Sequence, residues 1–188
     1  MTACSSKSPS SPSSPAATPT STPIPTLMIY QNGFFYDWAY TVACTTAFNP
    51  ANNSVANYSA TDPISGDGTV LDIYSLNLPP SYVCGIYNSS QLINASAYYP
   101  NGHLQFDAEM IGSVVTTCSI VGTAASQAVT TSFLGSLVNG TWVHISLPIS
   151  SIFPPATIST KPVAPFDLIV TASAPETILF DNIKWTGN

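Results

Sequence analysis

Apolar and polar residues alternate with a period of two in several short stretches of the chain. In "HLQFDAEMI", residues 103–111, one set of alternate positions is apolar: Leu104, Phe106, Ala108 and Met110. In "TWVHISLP", residues 141–148, alternation separates Val143, Ile145 and Leu147 from Trp142, His144 and Ser146. Successive side chains of a β-strand point to opposite faces. These stretches therefore predict strands with one buried face.

Ten stretches enriched in Val, Ile, Tyr, Thr and Phe are predicted as strands. They span residues 27–31, 39–48, 69–76, 82–88, 103–111, 114–122, 128–135, 141–148, 166–173 and 177–185. The segments between them, such as "DPISGDG" and "YYPNG", carry the Pro, Gly and Asn that turns require. "PISSIFPP" is the one segment predicted to contain a helical turn. This pattern predicts an all-β protein, an antiparallel β-sandwich.

Residues 1–26 have a different composition and are predicted to tether the sandwich domain of residues 27–188. The segment "SSKSPSSPSSPAATPTSTPIPT", residues 5–26, cannot form a core, and its prolines favour an extended backbone. "TAC" at residues 2–4 resembles the end of a bacterial lipobox, which predicts lipidation of Cys4, with Met1 an added start residue. In the alternative, Met1 is the native start and Cys4 is an ordinary thiol of a disordered tail.

The charge of the chain argues against two classes of partner. Three Lys and no Arg oppose nine Asp and Glu, so the formal net charge is −6. A basic surface for nucleic acid is therefore not expected, nor is a polybasic membrane-binding patch. No apolar run approaches the roughly 18 residues of a transmembrane helix. We expect an extracellular or cell-surface protein of the bacterial envelope, attached to a membrane only through the possible lipid at Cys4.

Three cysteines lie within the predicted domain, at Cys44, Cys84 and Cys118. An extracellular setting permits a disulfide. Three cysteines allow at most one intramolecular bridge, and the sequence does not select the pair. None has the spacing of a zinc site, and His103 and His144 are far apart in the chain. A metal cluster built on cysteine is not expected.

Four segments, in order, carry a family resemblance. They are "LMIYQNGFFYDW", "GHLQFDAEM", "TWVHISLPISSIF" and "APFDLIVTASAPETILFDNIKW". The ordered set resembles the jelly-roll, galactose-binding-like carbohydrate-binding modules of polysaccharide-active proteins, over nearly all of residues 27–188. The resemblance implies a jelly roll. It also assigns Trp142 and Trp185 to core packing, because they match core residues of the family.

The same resemblance implies a structural calcium ion beside the closing "DNI". Asp181 is the matching position, and Gln31 and Asn32 lie in the matching first segment. Calcium requires several oxygen ligands, but the matching stretch "YQNG", residues 30–33, offers amides and no acid, which departs from the family pattern. In the alternative, Asp181 accepts hydrogen bonds from backbone amides of the first turn. Either arrangement joins the last strand to the first.

Aromatic residues in or beside turns are the predicted ligand-binding residues. Sugar-binding modules stack pyranose rings on aromatic faces, which offer large rigid areas. The candidates are Tyr36, Trp38, Tyr82, Tyr87, Tyr98 and Tyr99. In the alternative, these tyrosines only fill sheet positions, where tyrosine is favoured.

The function predicted from these features is that of a non-catalytic, monomeric carbohydrate-binding module that binds polysaccharide. The first alternative is a structural or adhesive surface lipoprotein that binds no sugar. A small glycoside hydrolase is less favoured, because the only glutamates, Glu109 and Glu176, lack the paired arrangement that such enzymes need. Neither a GxSxG element nor a Gly-rich phosphate loop occurs in the sequence.

Overall fold

The computed structural model describes residues 23–31, 34–35, 40–46, 54–61, 69–75, 81–88, 95–112, 115–124, 127–153, 165–172 and 176–187, with side chains for part of them. The described strands are β1 (Leu27–Gln31), β2 (Phe34–Phe35), β3 (Tyr40–Thr46), β4 (Ser54–Thr61), β5 (Thr69–Ser75), β6 (Ser81–Asn88), β7 (His103–Ile111), β8 (Val115–Ala124), β9 (Gln127–Ser132), β10 (Val143–Pro148), β11 (Phe166–Ala172) and β12 (Glu176–Thr186). They form two antiparallel sheets, which confirms the predicted sandwich.

Helical structure in the described residues is limited to three short segments. Ala95–Tyr98 and Leu134–Ser136 are 3-10 turns, and α1 (Ile149–Ile152) is a single α-helical turn. The last of these confirms the helical turn predicted within "PISSIFPP". None of the described helices has the length and apolar character needed to cross a membrane.

Sheet A contains seven strands and has β12 at its centre. The order β10-β7-β12-β1-β2 is extended by β5, which pairs with β12, and by β4, which pairs with β5. The first half of β12 pairs with β5, from Glu176 to Phe180, and its second half pairs with β1, from Ile183 to Trp185. The strand that pairs with β12 therefore changes from β5 to β1 around Asp181 and Asn182. The register of β12 with β7, on its other side, is irregular at the same point.

Sheet B contains five strands in the order β3-β6-β11-β8-β9. Its central strand, β11, pairs with β6 on one side and with β8 on the other. Phe166, Leu168 and Val170 of β11 are buried against sheet A, and the alternate residues of this strand lie on the opposite, outer face. Strand β3 pairs with β6 along its whole length and forms one edge of the sheet.

The core lies between the two sheets. In β7, Leu104, Phe106, Ala108 and Met110 are all buried, as the alternation predicted. Phe106 makes edge-to-face contacts with Phe133 and Phe166, whose ring centroids lie at 5.1 and 5.4 Å. Each large apolar side chain buried in this way contributes about 1.5–3 kcal/mol to folding.

The two tryptophans assigned to packing differ in their surroundings. Trp185 is fully buried, and its indole N–H donates to the Pro165 carbonyl at 2.9 Å. The assignment of Trp185 to the core is therefore confirmed. Trp142 precedes β10 and is only half-buried.

The packed unit begins before the predicted domain boundary at residue 26. Ile24 packs against the core, and a Cβ added to Gly187 would overlap its side chain. Next to Ile24, the Pro25 carbonyl accepts a hydrogen bond from the Tyr98 hydroxyl at 3.0 Å. Residues 1–22, which include Cys4, lie outside the described residues.

Candidate functional site

Tyr98 and Tyr99 lie at the end of a 3-10 turn, but Tyr98 belongs to the core. Its side chain is 8% exposed, and its ring contacts Trp185 edge-to-face at 5.5 Å. Burial raises the pKa of the Tyr98 hydroxyl above its usual value. A ring enclosed in this way is not available for stacking on a sugar, so we leave Tyr98 out of the proposed site. Tyr99 is half-buried and packs at the margin of the core.

The other predicted aromatics are less completely described. Tyr36 and Trp38 lie outside the described residues, as does the predicted calcium ligand Asn32. Tyr82 and Tyr87 belong to β6 of sheet B, where the backbone register pairs Tyr82 with Val170 and Tyr87 with Thr41. The structure therefore places these two residues in one strand of sheet B, whereas Tyr98 packs against Trp185 of sheet A.

A chain of hydrogen bonds crosses the outer face of sheet A. The Gln31 amide donates to Asn182 Oδ1 at 2.8 Å, and Asn182 Nδ2 donates to Asp107 Oδ2 at 2.6 Å. His144 Nδ1 donates to the other carboxylate oxygen of Asp107 at 2.7 Å, since a carboxylate can only accept. These four side chains tie together β1, β12, β7 and β10.

The sequence predicted a link between the last strand and the first, but it assigned the link to Asp181. The described contact with Gln31 is made by the neighbouring residue, Asn182. Asp181 is 1% exposed and lies opposite Asp107 in the register. No group of three or more His, Cys, Asp or Glu in the described part of the chain could hold a metal ion. A calcium ion at Asp181 would therefore need carbonyl or amide oxygens for most of its ligands.

Two further carboxylates of sheet A flank an apolar residue on the same outer face. Leu179 of β12 is the register partner of Glu109 on β7 and of Asp72 on β5, and it is only 5% exposed. Burial raises the pKa of both Asp72 and Glu109. Asp72 Oδ1 is shielded from solvent and has no hydrogen-bond partner among the described residues. Ionised Asp72 is therefore disfavoured in the folded state.

Sheet B buries two polar residues on its outer face. Asp167 of β11 and Ser119 of β8 are each 4% exposed. Both alternate with core residues, because Phe166 and Leu168 flank Asp167 while Cys118 and Ile120 flank Ser119. Their side chains therefore lie on the face turned away from sheet A, yet they are shielded from water. In such surroundings a hydrogen bond is stronger than at an open surface.

Small residues adjoin Asp167 across sheet B. Gly85 of β6 is its register partner, and Ala43 of β3 is the partner of Gly85 on the other side. Gly85 is buried and has no side chain. The register therefore places Ala43, Gly85 and Asp167 in one row that crosses three strands. We call it the outer row of sheet B.

Sequence reasoning did not select Asp167 or Ser119 as site residues. The available signal was Asp167 itself, a carboxylate within the apolar strand "FDLIV". Strand alternation alone assigns such a residue to the solvent side, and nothing in the sequence indicates that this side is shielded. Similarly, Asp107, His144 and Asn182 were visible as polar residues, but their contacts depend on the strand order of sheet A.

Comparison with known proteins identifies the class of fold. No protein-family model matches the sequence, and no curated protein matches it. The fold is similar to that of the family 30 carbohydrate-binding module of a cellulosomal cellulase of Clostridium thermocellum. The TM-score is 0.60 at 14% identity, and the match covers 87% of this chain and 98% of that module. The predicted resemblance to jelly-roll carbohydrate-binding modules is thus confirmed for the fold.

Two further structures share this architecture. The family 11 carbohydrate-binding module of Clostridium thermocellum, solved with a β-1,3-1,4-mixed-linked tetrasaccharide, has a TM-score of 0.51 at 11% identity. That match covers 86% of this chain and 95% of the module. An exo-β-agarase has a TM-score of 0.56 at 13% identity, and the match covers 86% of this chain but only 25% of the agarase.

Proposed function

We propose that this protein is a non-catalytic glycan-binding module. The observation that carries the proposal is the match of almost the whole sandwich to whole carbohydrate-binding modules. In the agarase the match is restricted to a quarter of the chain, so the same fold occurs there as one part of a longer protein. A module of this kind binds a polysaccharide without transforming it.

The outer row of sheet B is the proposed binding site. Asp167 is the register partner of Gly85, so a sugar ring lying over the glycine would place its hydroxyls near the carboxylate. An ionised carboxylate accepts hydrogen bonds through both oxygens, which suits neighbouring hydroxyls of one sugar. Tyr87 alternates to the same face of β6 as Gly85 and stays a candidate for stacking, whereas Tyr82 is the register partner of the core residue Val170.

The outer face of sheet A serves as the comparison face. The polar side chains at its centre already bond to one another, from Gln31 to His144. A ligand that bound there would have to replace these contacts, and each replacement offsets part of the gain. The acids Asp107 and Asp167 therefore serve as a matched pair for a test, one on each outer face.

We further propose that the module acts outside the cell and that residues 5–22 hold it away from a surface. Ser, Pro and Thr dominate this segment, and Cys4 is the proposed site of its lipid anchor. Labelling with a radioactive fatty acid in a bacterial host tests the anchor. Incorporation that is lost in Cys4→Ser supports it, and equal incorporation without Cys4 contradicts it.

The binding proposal is tested by affinity electrophoresis and pull-down with soluble and insoluble polysaccharides. Loss of a charge-assisted hydrogen bond costs about 1.5–3 kcal/mol, so Asp167→Asn is expected to weaken binding roughly 10- to 100-fold. Asp107→Asn, on the other face, is expected to bind like the wild type. Trp38→Ala and Tyr87→Ala test stacking, and Tyr98→Phe is the control because its ring lies in the core.

Thermal melting of every variant separates a lost site from a lost fold. If Asp107→Asn binds weakly while Asp167→Asn binds normally, the site lies on sheet A instead. If the wild type binds no polysaccharide of a broad neutral and anionic panel, the glycan proposal is wrong. A structural or adhesive sandwich is then the better description.

A further inference from the structure

Two of the three domain cysteines occupy facing positions on neighbouring strands. The register of β3 and β6 pairs Cys44 directly with Cys84. Directly opposed residues of an antiparallel pair have Cα atoms about 4.5 or 5.5 Å apart, depending on the hydrogen-bonding pattern. Both separations fall within the range of roughly 4.4–6.8 Å found for disulfides. The backbone therefore brings these two residues to bridging distance.

The third cysteine is excluded by the strand order. Cys118 lies on β8, which is separated from β6 by β11. Adjacent strands lie about 4.8 Å apart, so Cys118 is at least about 9.5 Å from Cys84 and farther still from Cys44. Cysteines whose Cα atoms are more than about 7 Å apart cannot be bridged without backbone movement. Cys118 is accordingly a buried thiol of the core.

We propose that Cys44 and Cys84 form a disulfide that fixes strand β3 to sheet B. The oxidant is a low-molecular-weight disulfide of the extracellular environment. The thiolate of one cysteine attacks a sulfur of this molecule and releases one small thiol. The second cysteine then attacks the mixed disulfide and releases the other. Two protein S–H bonds are lost and one S–S bond forms, while two electrons and two protons pass to the small disulfide.

The position of the bridge connects it to the proposed binding site, and only this consequence rests on the proposed function. Strand β3 is an edge strand with β6 as its sheet neighbour. Ala43 and Gly85, which adjoin the two cysteines in sequence, belong to the outer row of sheet B. A covalent link at this point holds β3 in register, so the bridge keeps Ala43 beside Gly85.

Cross-link mapping tests the bridge without any glycan. The full chain is refolded in a glutathione redox buffer, alkylated under denaturing conditions and digested with pepsin at low pH, where disulfides do not exchange. Mass spectrometry is expected to find one peptide pair that joins Cys44 to Cys84, with Cys118 alkylated. Both cysteines alkylated, or either one linked to Cys4 or Cys118, would overturn the proposal.

Thermal melting supplies the second measurement. Disulfides typically stabilise by 2–4 kcal/mol, so reductant is expected to lower the Tm of the wild type by roughly 5–15 °C. Cys44→Ala is expected to melt low in both conditions and to lose this response. Cys118→Ala is the control, since it creates a cavity but keeps the response to reductant. A wild-type Tm that does not change with reductant, together with unlinked peptides, contradicts the bridge.

Discussion

Asn182 explains why the last strand, β12, carries the polar residues Asp181 and Asn182 within an apolar run. Its φ of 53° lies in the left-handed region, which Asn adopts more readily than most residues. It sits where the register of β12 with β7 is irregular, between Asp181 and Lys184. At this point its amide accepts from Gln31 and donates to Asp107. The interruption of an apolar strand thus joins three strands of one sheet.

Asp181 provides a test at the scale of a single residue. An ionised carboxylate that is 1% exposed requires compensating partners. Asp181→Ala leaves these partners unsatisfied and is expected to destabilise the domain by about 3 kcal/mol. Urea unfolding of the wild type and the variant measures the change, and equal midpoints would contradict this role.

Adding a chelator distinguishes between the two kinds of partner proposed for Asp181, a calcium ion and hydrogen-bond donors. We propose calcium as one candidate, and in that case excess chelator lowers the Tm of the wild type, because a ligand of the native state stabilises it by mass action. Asp181→Ala, having lost the site, is then insensitive to chelator. If the wild type is equally insensitive, hydrogen bonds alone hold the carboxylate.

Asp72 gives a prediction for the dependence of stability on pH. Burial raises its folded pKa above 3.8, so the native state binds more protons than the unfolded state as the pH rises through that value. Stability contributed by this group is present below the unfolded pKa and is lost as the pH rises through the folded pKa. Asp72→Asn is therefore expected to become more stable relative to the wild type between about pH 3 and pH 7.

Glu109→Gln is the matched comparison for Asp72→Asn, because burial raises the pKa of both acids and both adjoin Leu179. Urea unfolding at a series of pH values measures the two differences. If the stability difference between wild type and Asp72→Asn is the same at every pH, Asp72 does not carry a raised pKa.

At the scale of elements, residues 24 and 25 precede β1 and contact the sandwich. Deletion of residues 1–22 is expected to leave the Tm unchanged. Deletion of residues 1–26 removes the packing of Ile24 and the hydrogen bond from Tyr98 to Pro25, and is expected to cost about 1–3 kcal/mol. Differential scanning calorimetry would then give a Tm lower by roughly 3–10 °C.

Two point variants separate the contributions of this segment. Tyr98→Phe removes only the hydrogen bond, whereas Gly187→Ala places a methyl group where the Ile24 side chain lies. The second variant is expected to reproduce the deletion within the full chain. Identical melting of the two truncated chains would show that Ile24 and Pro25 add nothing to the fold.

Most strands of the sandwich could be predicted from the sequence because their burial is one-sided. Strands β1 and β7 were predicted with the bounds that the structure shows, Leu27–Gln31 and His103–Ile111. Strands β2 and β4 were not predicted. Phe34–Phe35 is too short to show a period, and "SVANYSAT" in β4 has few large apolar residues. These segments become strands because they pair with β1 and β5, respectively. The local sequence does not specify which strand a segment pairs with.

At the scale of the whole molecule, the fold was more predictable than the site. Alternation and turn residues act locally and indicate a sandwich. The outer row of sheet B depends on which strands become neighbours, since Ala43, Gly85 and Asp167 lie far apart in the chain. The same is true of Cys44 and Cys84, whose pairing follows only from the register of β3 with β6. Contacts of this kind require the order of the strands.

The docking of Ile24 beside Gly187 has a mechanical consequence. Tension applied through residues 1–22 enters the sandwich at Ile24 and passes along β1, which pairs with β12 at the centre of sheet A. A pull along the axis of a strand loads its interstrand hydrogen bonds in shear, because these bonds run perpendicular to the strands. Bonds in shear share the load and must yield together, whereas bonds in a peeling geometry yield singly. A force that pulls residue 24 along the axis of β1 would therefore meet the shear resistance of its pairing with β12.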